Sequence, residues 1–370
     1  MATTQPDAPN PLQDKIVVDC DVHVSRSDTI KRRKMEYLDE PYRSWIDPDT
    51  ETNAYGASTY EQSIPATGMT ADRNDNMDIE DLTRDVAELL CEQEGVTHPI
   101  INMAGGQDSI PDTKRALAEV RADNHVLVDM LKDEPEFFGA IDVLTREPHK
   151  SAEIIDEFAD EDQIIGVYIS TASVDRPVGV PANDPIFEAA EDNGLTMMYH
   201  GGSGPRRRYT PFFDSVETYL EIHPVSHPLQ QMITLTTLIG QGVPVKYPEL
   251  NHVFLESSLG WIPYTMHRLN REYRQRPADA PLLEKTPEKY IREFCWFDSQ
   301  PLEEPIDTRQ ITKMIEMVGP ENVVFGSDHP HFDFDNPAAI DKHYRRFSDE
   351  ERDAMLHGNA IEAFDLSISV

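Results

Sequence analysis

An apolar run near the start of the chain ends in two residue types that bind metal ions. Residues 16–20 are typical of a short buried strand, and Asp21 and His23 follow at its end. Side chains alternate between the two faces of a strand, so Asp21 and His23 should share a face with Asp19. This spacing predicts that the strand directs a carboxylate and an imidazole at one point.

Three later apolar runs stop at polar side chains of the same kind, namely His200, Glu256 and Asp328. Two glycines follow His200, and glycine lets a backbone come close to a ligand. Two imidazoles with one or two carboxylates suit Zn²⁺ or another divalent cation. Each residue also has a structural alternative, because a strand-end histidine can be held by hydrogen bonds and Asp328 can cap a helix.

The pattern of the whole chain indicates how these strand ends meet. The predicted strands are residues 16–20, 96–101, 138–143, 165–170, 195–200, 252–256, 294–297 and 323–326. Between and after them, helical spacing occurs at residues 78–94, 112–132, 148–158, 183–193, about 229–239, 261–274, 308–318 and from 336 onward. Eight alternating units predict a parallel (β/α)8 TIM barrel, with an open doubly wound sheet as the alternative. In a barrel, the strand ends converge on the active site.

One domain is expected at residues 15–370, after a flexible tail at 1–14. A polar stretch at about 25–78 is predicted to be an insertion after strand one, with one or two short helices at the rim of the pocket. Long loops in compact domains are often functional, and the alternative is a surface loop that has no role in the chemistry. The C-terminus is predicted to be helical.

Composition excludes several partners. The chain has 68 acidic and 33 basic residues, a net charge of −35, which argues against nucleic-acid and anionic-membrane surfaces. No run approaches a membrane span, and the first residues have no signal-peptide pattern. Cys20, Cys91 and Cys295 show no pair spacing. We therefore expect a cytoplasmic, reduced protein, and the absence of phosphate-binding glycine motifs gives nucleotide binding no support.

Six motifs follow one another along the chain. They are Asp-Cys-Asp-Val-His at 19–23, His-Gly-Gly at 200–202, His-Pro at 227–228, Phe-Leu-Glu-Ser-Ser-Leu-Gly-Trp-Ile-Pro at 254–263, Phe-Gly-Ser-Asp-His-Pro-His at 325–331 and Gly-Asn-Ala at 358–360. This ordered set resembles the amidohydrolase superfamily in its amidohydrolase-related branch. That branch includes aminocarboxymuconate-semialdehyde decarboxylase and the resorcylate and carboxyvanillate decarboxylases.

The resemblance implies a (β/α)8 barrel with one divalent metal ion, surrounded by Asp21, His23, His200 and Asp328. Zn²⁺ is expected and Mn²⁺ is the alternative, since Asp21 stands where several members have histidine or glutamate. Strand four, at residues 165–170, lacks the lysine that binuclear members carbamylate. A single metal ion is therefore expected.

The resemblance further implies a hydrolase or a non-oxidative decarboxylase that acts on a small carboxylic or cyclic organic substrate. In hydrolysis, Asp328 would accept the proton of the attacking water; in decarboxylation, His227 or Glu256 would handle the ring proton. Characterised decarboxylases of the branch have a histidine at the end of strand six, where this chain has Glu256, so both reactions stay open. A non-catalytic metal- or ligand-binding barrel with a regulatory or assembly role is the alternative from another class.

The loop predicted after strand five contributes further candidates. We expect His223 to lie on the surface, whereas pocket and surface are equally open for His227. Arg206 and Arg207, with Arg208, follow shortly after His200. Arginine matches carboxylates in two-pronged hydrogen bonding, so Arg206 and Arg207 are predicted to bind a substrate carboxylate, with ion pairs to surface acids as the alternative. A homo-oligomer, dimer or tetramer, is also expected.

The dispersed negative charge predicts dependence on salt. At about 1 M ionic strength the Debye length is only about 3 Å, so mutual repulsion of the acidic residues is screened. We infer a halophilic host and expect fold and activity to be lost on dialysis to low salt, measured by circular dichroism and by assay. Unchanged behaviour in low salt would exclude this inference.

Overall fold

The eight predicted strands form one parallel sheet. The computed structural model describes residues 12, 15–24, 28–48, 82–103, 107–172, 174, 176–202, 218–331 and 333–368. Each strand pairs in parallel with the next in chain order. The strands are β1 (Val18–His23), β2 (His98–Asn102), β3 (Phe138–Asp142), β4 (Ile164–Ser170), β5 (Thr196–His200), β6 (His252–Leu255), β7 (Cys295–Asp298) and β8 (Val323–Val324).

The segment that begins with β8 returns to β1 and closes the sheet. The Cys20 N–H donates to the Phe325 carbonyl at 2.9 Å, and the Asp328 N–H donates to the Asp21 carbonyl at 3.0 Å. An open doubly wound sheet would instead reverse its strand order at a switch point. The predicted (β/α)8 TIM barrel is therefore confirmed, and the open sheet is excluded.

Helices alternate with the strands around the outside. They are α1 (Asp28–Met35), α2 (Tyr42–Ile46), α3 (Leu82–Asp85), α4 (Thr113–Leu131), α5 (Pro148–Phe158), α6 (Asp184–Asp192), α7 (Tyr219–Gly240), α8 (Val243–Lys246), α9 (Trp261–Gln275), α10 (Pro287–Phe294), α11 (Arg309–Val318), α12 (Pro337–His343), α13 (Asp349–Asp353) and α14 (Asn359–Phe364). Wider π-helical turns at Val86–Glu94 and Ala354–Gly358 extend α3 and link α13 to α14. In the part of the chain that is described, no helix is long and apolar enough to cross a membrane.

Two layers of apolar side chains hold the barrel together. The inner layer contains residues from all eight strands, from the last helix and from the segment just after it: Val18, Cys20, Ile100, Ala140, Tyr168, Met198, Val253, Leu255, Trp296, Val324, Ala360, Ala363, Phe364 and Leu366. The Thr196 hydroxyl donates to the Ala363 carbonyl at 2.7 Å and ties β5 to α14. The helical C-terminus thus closes the barrel opposite the strand ends that carry the polar residues.

A β-bulge in β1 decides which side chains enter the barrel. The pairing of β1 with β2 shifts between Asp19 and Val22. Val18 and Cys20 belong to the inner layer, whereas Val22 packs in the outer layer. A bulge re-aims the residues beyond it, so Asp21 and His23 face inward although strict alternation would turn them outward. The prediction that Asp19 shares their face is wrong for the same reason.

Helix α7 begins at Tyr219 rather than near residue 229. A capping box starts it, in which the Thr218 N–H donates to Glu221 Oε2 at 2.8 Å. Two prolines inside the helix, at 224 and 228, favoured a loop in the sequence because proline lacks the N–H that a helix needs. The prediction that His223 and His227 lie in a loop is therefore wrong; spaced i and i+4, they share one helix face.

The predicted insertion is described in part. Residues 28–48 contain α1 and α2, as expected for short helices, and 49–81 lie outside the described residues. Lys34 fixes α1 to α4, with Nζ 2.8 Å from Asp123 Oδ1 and 3.4 Å from Glu119 Oε2. Of the predicted tail at 1–14, Leu12 is described and is buried. The domain boundaries stay predictions.

Gly179 should be essential for the position of α7. A Cβ there would lie 2.3 Å from the Leu238 nitrogen, a backbone atom of α7 that cannot move aside. We expect Gly179→Ala to lower the free energy of unfolding by about 1–3 kcal/mol, measured by denaturant titration in molar salt. Gly240→Ala is the matched control, because a Cβ meets nothing within 4 Å there. Equal stability of the two variants would contradict this packing.

Candidate metal centre

Four side chains converge at the carboxyl end of the barrel. Asp21, His23, His200 and Asp328 each place one ligand atom within 4.8 Å of the others. His23 Nε2 lies 3.1 Å from Asp328 Oδ1 and 3.3 Å from Asp21 Oδ1. His200 Nε2 lies 3.5 Å from Asp21 Oδ2. All four side chains are buried, and they are the four that the sequence placed around a metal ion.

The two histidines present the same ring nitrogen to this centre. His23 Nδ1 lies 2.7 Å from Asn102 Oδ1, and His200 Nδ1 lies 2.8 Å from the Gly201 carbonyl oxygen. Both partners are acceptors, so Nδ1 carries the proton in each neutral ring. The two Nε2 atoms then face each other at 3.1 Å with their lone pairs directed into the centre. This tautomer is the one that a metal-binding histidine requires.

The donor set fits a divalent cation. Two imidazole lone pairs and two carboxylates repel one another in a buried site unless positive charge lies between them. Burial raises the pKa of Asp328 well above its usual range, and the carboxylates of Glu256 and Asp21 raise it further. Burial lowers the pKa of His200, but Asp21 and Glu256 outweigh it and hold that pKa well above its usual range. The centre therefore attracts positive charge, and two nitrogen with two oxygen ligands suit Zn²⁺ or Mn²⁺.

Strained backbone holds two of the strand-end residues. Glu256 and Asp328 have φ of 44° and 59°, in the left-handed region that glycine favours. Such conformations cost about 1–3 kcal/mol and persist where the surroundings fix them. The Glu256 N–H is fixed by Asp298 Oδ2 at 3.2 Å. Strain of this kind is concentrated at functional sites.

Glu256 joins the metal centre to a second group of histidines. Its Oε2 lies 2.8 Å from His200 Nε2, and its Oε1 lies 3.1 Å from the Nε2 atoms of both His223 and His227. Burial raises the pKa of Glu256, but His227 and His200 outweigh it and hold that pKa well below its usual range. Burial lowers the pKa of His227. The Glu256 carboxylate thus lies between the metal centre and the His227 imidazole.

Gly201 allows this close approach of α7. A Cβ at Gly201 would lie 2.5 Å from His227 Cδ2 and 2.8 Å from His227 Cα. The glycine after β5 therefore makes room for a histidine of the following helix. His227 reaches the centre, with its ring centroid 6.0 Å from that of His200.

His223 also faces the site, so the prediction of a surface position is wrong. Its side chain is 13% exposed. Burial lowers the pKa of His223, but the hydrogen bond to Glu256 outweighs it and raises that pKa above its usual value. Arg206 and Arg207 lie outside the described residues, and their role stays a prediction.

Sequence reasoning missed three residues that hold the centre. Asn102, besides orienting His23, donates from Nδ2 to Asp21 Oδ1 at 3.3 Å. Asp298 holds the Glu256 backbone, and His331 Nδ1 lies 2.5 Å from Asp328 Oδ1. Asn102 and Asp298 are the last residues of β2 and β7, each one position beyond the predicted strand. The search for polar strand ends, extended to all eight strands, would have found both.

The family model of the amidohydrolases matches residues 18–366. The chain belongs to this family. The prediction of a metal-dependent enzyme of the amidohydrolase superfamily, a hydrolase or a carboxy-lyase, is confirmed at this level. No curated protein matches the chain.

Solved structures share the fold at low sequence identity. 5-Carboxyvanillate decarboxylase from Sphingomonas paucimobilis is 18% identical over 95% of this chain and 99% of its own, with a TM-score of 0.68. A dihydroxybenzoic acid decarboxylase from Polaromonas sp. JS666, with bound manganese and 2-nitroresorcinol, is 17% identical over 96% and 98%, with a TM-score of 0.68. An amidohydrolase from Mycobacterium avium subsp. paratuberculosis K-10 is 16% identical over 95% and 99%, with a TM-score of 0.74.

The donor set predicts how metal content responds to substitution. We expect His200→Ala to retain less than about half an equivalent of metal after dialysis, because a neutral imidazole lone pair is lost. Asn102→Ala should weaken metal affinity by about 10–100-fold through loss of the hydrogen bond that orients His23. Elemental analysis of dialysed protein measures both, with the exposed His267→Ala as control. Metal content that is unchanged in His200→Ala would exclude the centre described here.

Proposed function

We propose that the enzyme is a non-oxidative decarboxylase of a small hydroxylated aromatic carboxylate. The observation that carries this proposal is the Glu256 carboxylate, which bridges the metal centre and His227. It supplies a buried proton-handling group beside a cation site, although β6 itself ends without a histidine. The similar solved structures include decarboxylases of 5-carboxyvanillate and dihydroxybenzoic acid, which supports this substrate class.

Decarboxylation replaces the carbon–carbon bond to CO2 with a carbon–hydrogen bond, so each turnover consumes one proton at the ring carbon. Asp21, His23, His200 and Asp328 would hold the metal ion, which would supply positive charge for the substrate carboxylate and the neighbouring hydroxyl. His227 Nε2 and Glu256 Oε1, 3.1 Å apart, can pass a proton between them, and this pair is proposed to deliver it to the ring carbon.

Asp328 is proposed to accept the proton of the substrate hydroxyl. Its Oδ1 lies within hydrogen-bond distance of His331 Nδ1, whose ring is 34% exposed, so the proton can pass on toward solvent. Gln300 Nε2 lies 3.4 Å from Asp328 Oδ2 and holds the other oxygen. Arg206 and Arg207 are proposed to bind a substrate carboxylate.

Hydrolysis is the second candidate, because β6 lacks the terminal histidine that the resemblance implies in decarboxylases. In a hydrolase, Asp328 would accept the proton of the attacking water.

Further properties stay proposals. We propose Zn²⁺ as the metal ion, with Mn²⁺ as the alternative because three similar decarboxylase structures contain manganese. The cytoplasmic location, the halophilic host and the homo-oligomer, dimer or tetramer, are proposed from the sequence. The charge of −35 supports the salt-adapted host.

Metal-loaded protein in molar salt should release CO2 from hydroxybenzoates or 5-carboxyvanillate. In D2O the product should carry deuterium at the carbon that lost CO2. We expect His227→Asn and Glu256→Gln to lower kcat by about 10²–10⁴-fold, the usual contribution of a positioned acid or base. Metal content is measured in parallel, and His267→Asn is the control. Acid release from lactones or amides without CO2 release would instead identify a hydrolase.

A further inference from the structure

The Glu256 carboxylate faces two groups of ligand atoms. Its Oε2 points to His200 in the metal centre, while its Oε1 accepts both His223 Nε2 and His227 Nε2 at 3.1 Å. Ligand atoms around a tetrahedral Zn²⁺ ion lie about 3.3 Å from one another. His223, His227 and Glu256 therefore have the spacing of a metal-binding set in their own right.

Helix α7 holds the two imidazoles in the usual arrangement for such a set. His223 and His227 are one turn apart on one face, with ring centroids 4.8 Å apart. Two histidines at i and i+4 on a helix are a recurring zinc-binding pair. Ser226 Oγ lies 3.1 Å from His227 Nδ1 and helps to orient that ring, as partners of metal-binding histidines do.

Asp333 is the fourth carboxylate in the two neighbouring groups, after Asp21, Asp328 and Glu256. Its Oδ2 lies 3.8 Å from His223 Nε2, and it lies within 4.8 Å of ligand atoms of Glu256 and Asp328. Asp21 and Asp328 supply the two negative charges that one divalent cation balances; Glu256 and Asp333 supply two more. In the described part of the chain, the ion pairs of these four carboxylates are all with histidines.

This second group also has a path to solvent. His223 and Asp333 are 13% and 19% exposed, whereas Asp21 in the metal centre is 0% exposed. A cation can therefore reach the second group without passing the first. The greater exposure of the second group, and the positive charge of a first cation nearby, should make the second cation bind more weakly.

We propose that His223, His227 and Glu256, with Asp333 beside them, form a second divalent-cation site that fills after the first and inhibits the enzyme. Inhibition, which rests on the proposed function, follows because a nitrogen or oxygen lone pair that binds a cation cannot carry a proton. The second site would take Zn²⁺ or a similar ion with nitrogen and oxygen ligands.

Equilibrium dialysis of the full-length protein against increasing free Zn²⁺, in molar salt, tests the site. Wild type and the exposed control His267→Asn should bind a first and then a second equivalent. His223→Asn should bind the first and lose the second, and His23→Asn should lose the first. One equivalent in wild type at millimolar free Zn²⁺, or two in His223→Asn, would overturn the proposal. Circular dichroism confirms that each variant is folded.

Mn²⁺ provides a spectroscopic readout independent of activity. Two manganese ions on either side of the contact between Glu256 and His200 should broaden the electron paramagnetic resonance signal of the first by magnetic coupling, and this broadening should be absent in His223→Asn. Two unbroadened signals would overturn the placement of the second cation beside the first.

Activity separates the second site from the proposed function. CO2 release should fall by about 10²-fold as the second equivalent binds, since acid–base assistance is lost. An unchanged rate at two bound equivalents would overturn the inhibition. Two equivalents without CO2 release at any Zn²⁺ concentration would leave the site standing and reject the decarboxylase.

Discussion

The repulsion between buried lone pairs is the interaction on which the rest of the site depends. Two imidazole Nε2 atoms 3.1 Å apart and two carboxylates are held where water cannot separate them. Such an arrangement is unstable without positive charge. The fold maintains it through hydrogen bonds on the far side of each ring, which His23 donates to Asn102 Oδ1 and His200 donates to the Gly201 carbonyl. A cation between these groups would therefore stabilise the packing of the candidate metal centre.

The barrel brings the ligands together because its strand ends converge, but regular strand geometry would not have sufficed. The bulge in β1 turns Asp21 and His23 inward. Left-handed backbone at Glu256 and Asp328 directs those side chains beyond β6 and β8. Local departures from ideal backbone geometry thus determine where the side chains of the site point. Such departures lower stability, and they are concentrated at functional sites.

Much of this was predictable from sequence, for identifiable reasons. Alternating apolar runs and helical spacing predict the barrel, and polar residues at strand ends predict which four side chains meet at its carboxyl end. The β1 bulge was not predictable, because alternation alone turns Asp21 and Asp19 to the same face. The first half of helix α7 was not predicted because it contains two prolines, which lack the N–H that a helix needs. Asn102 and Asp298 were missed because the predicted strands stopped one residue early.

The prolines of α7 have a consequence for how this enzyme can diversify. Each removes one backbone hydrogen bond from the half of the helix that carries His223 and His227. The metal ligands, by contrast, stand on or directly beside strands tied into the barrel by backbone pairing. His223 and His227 thus lie on a different element from the four residues of the candidate metal centre. Because the two sets of residues lie on separate elements, substitutions in α7 would let the reaction change during evolution while the residues of the cation site stay the same.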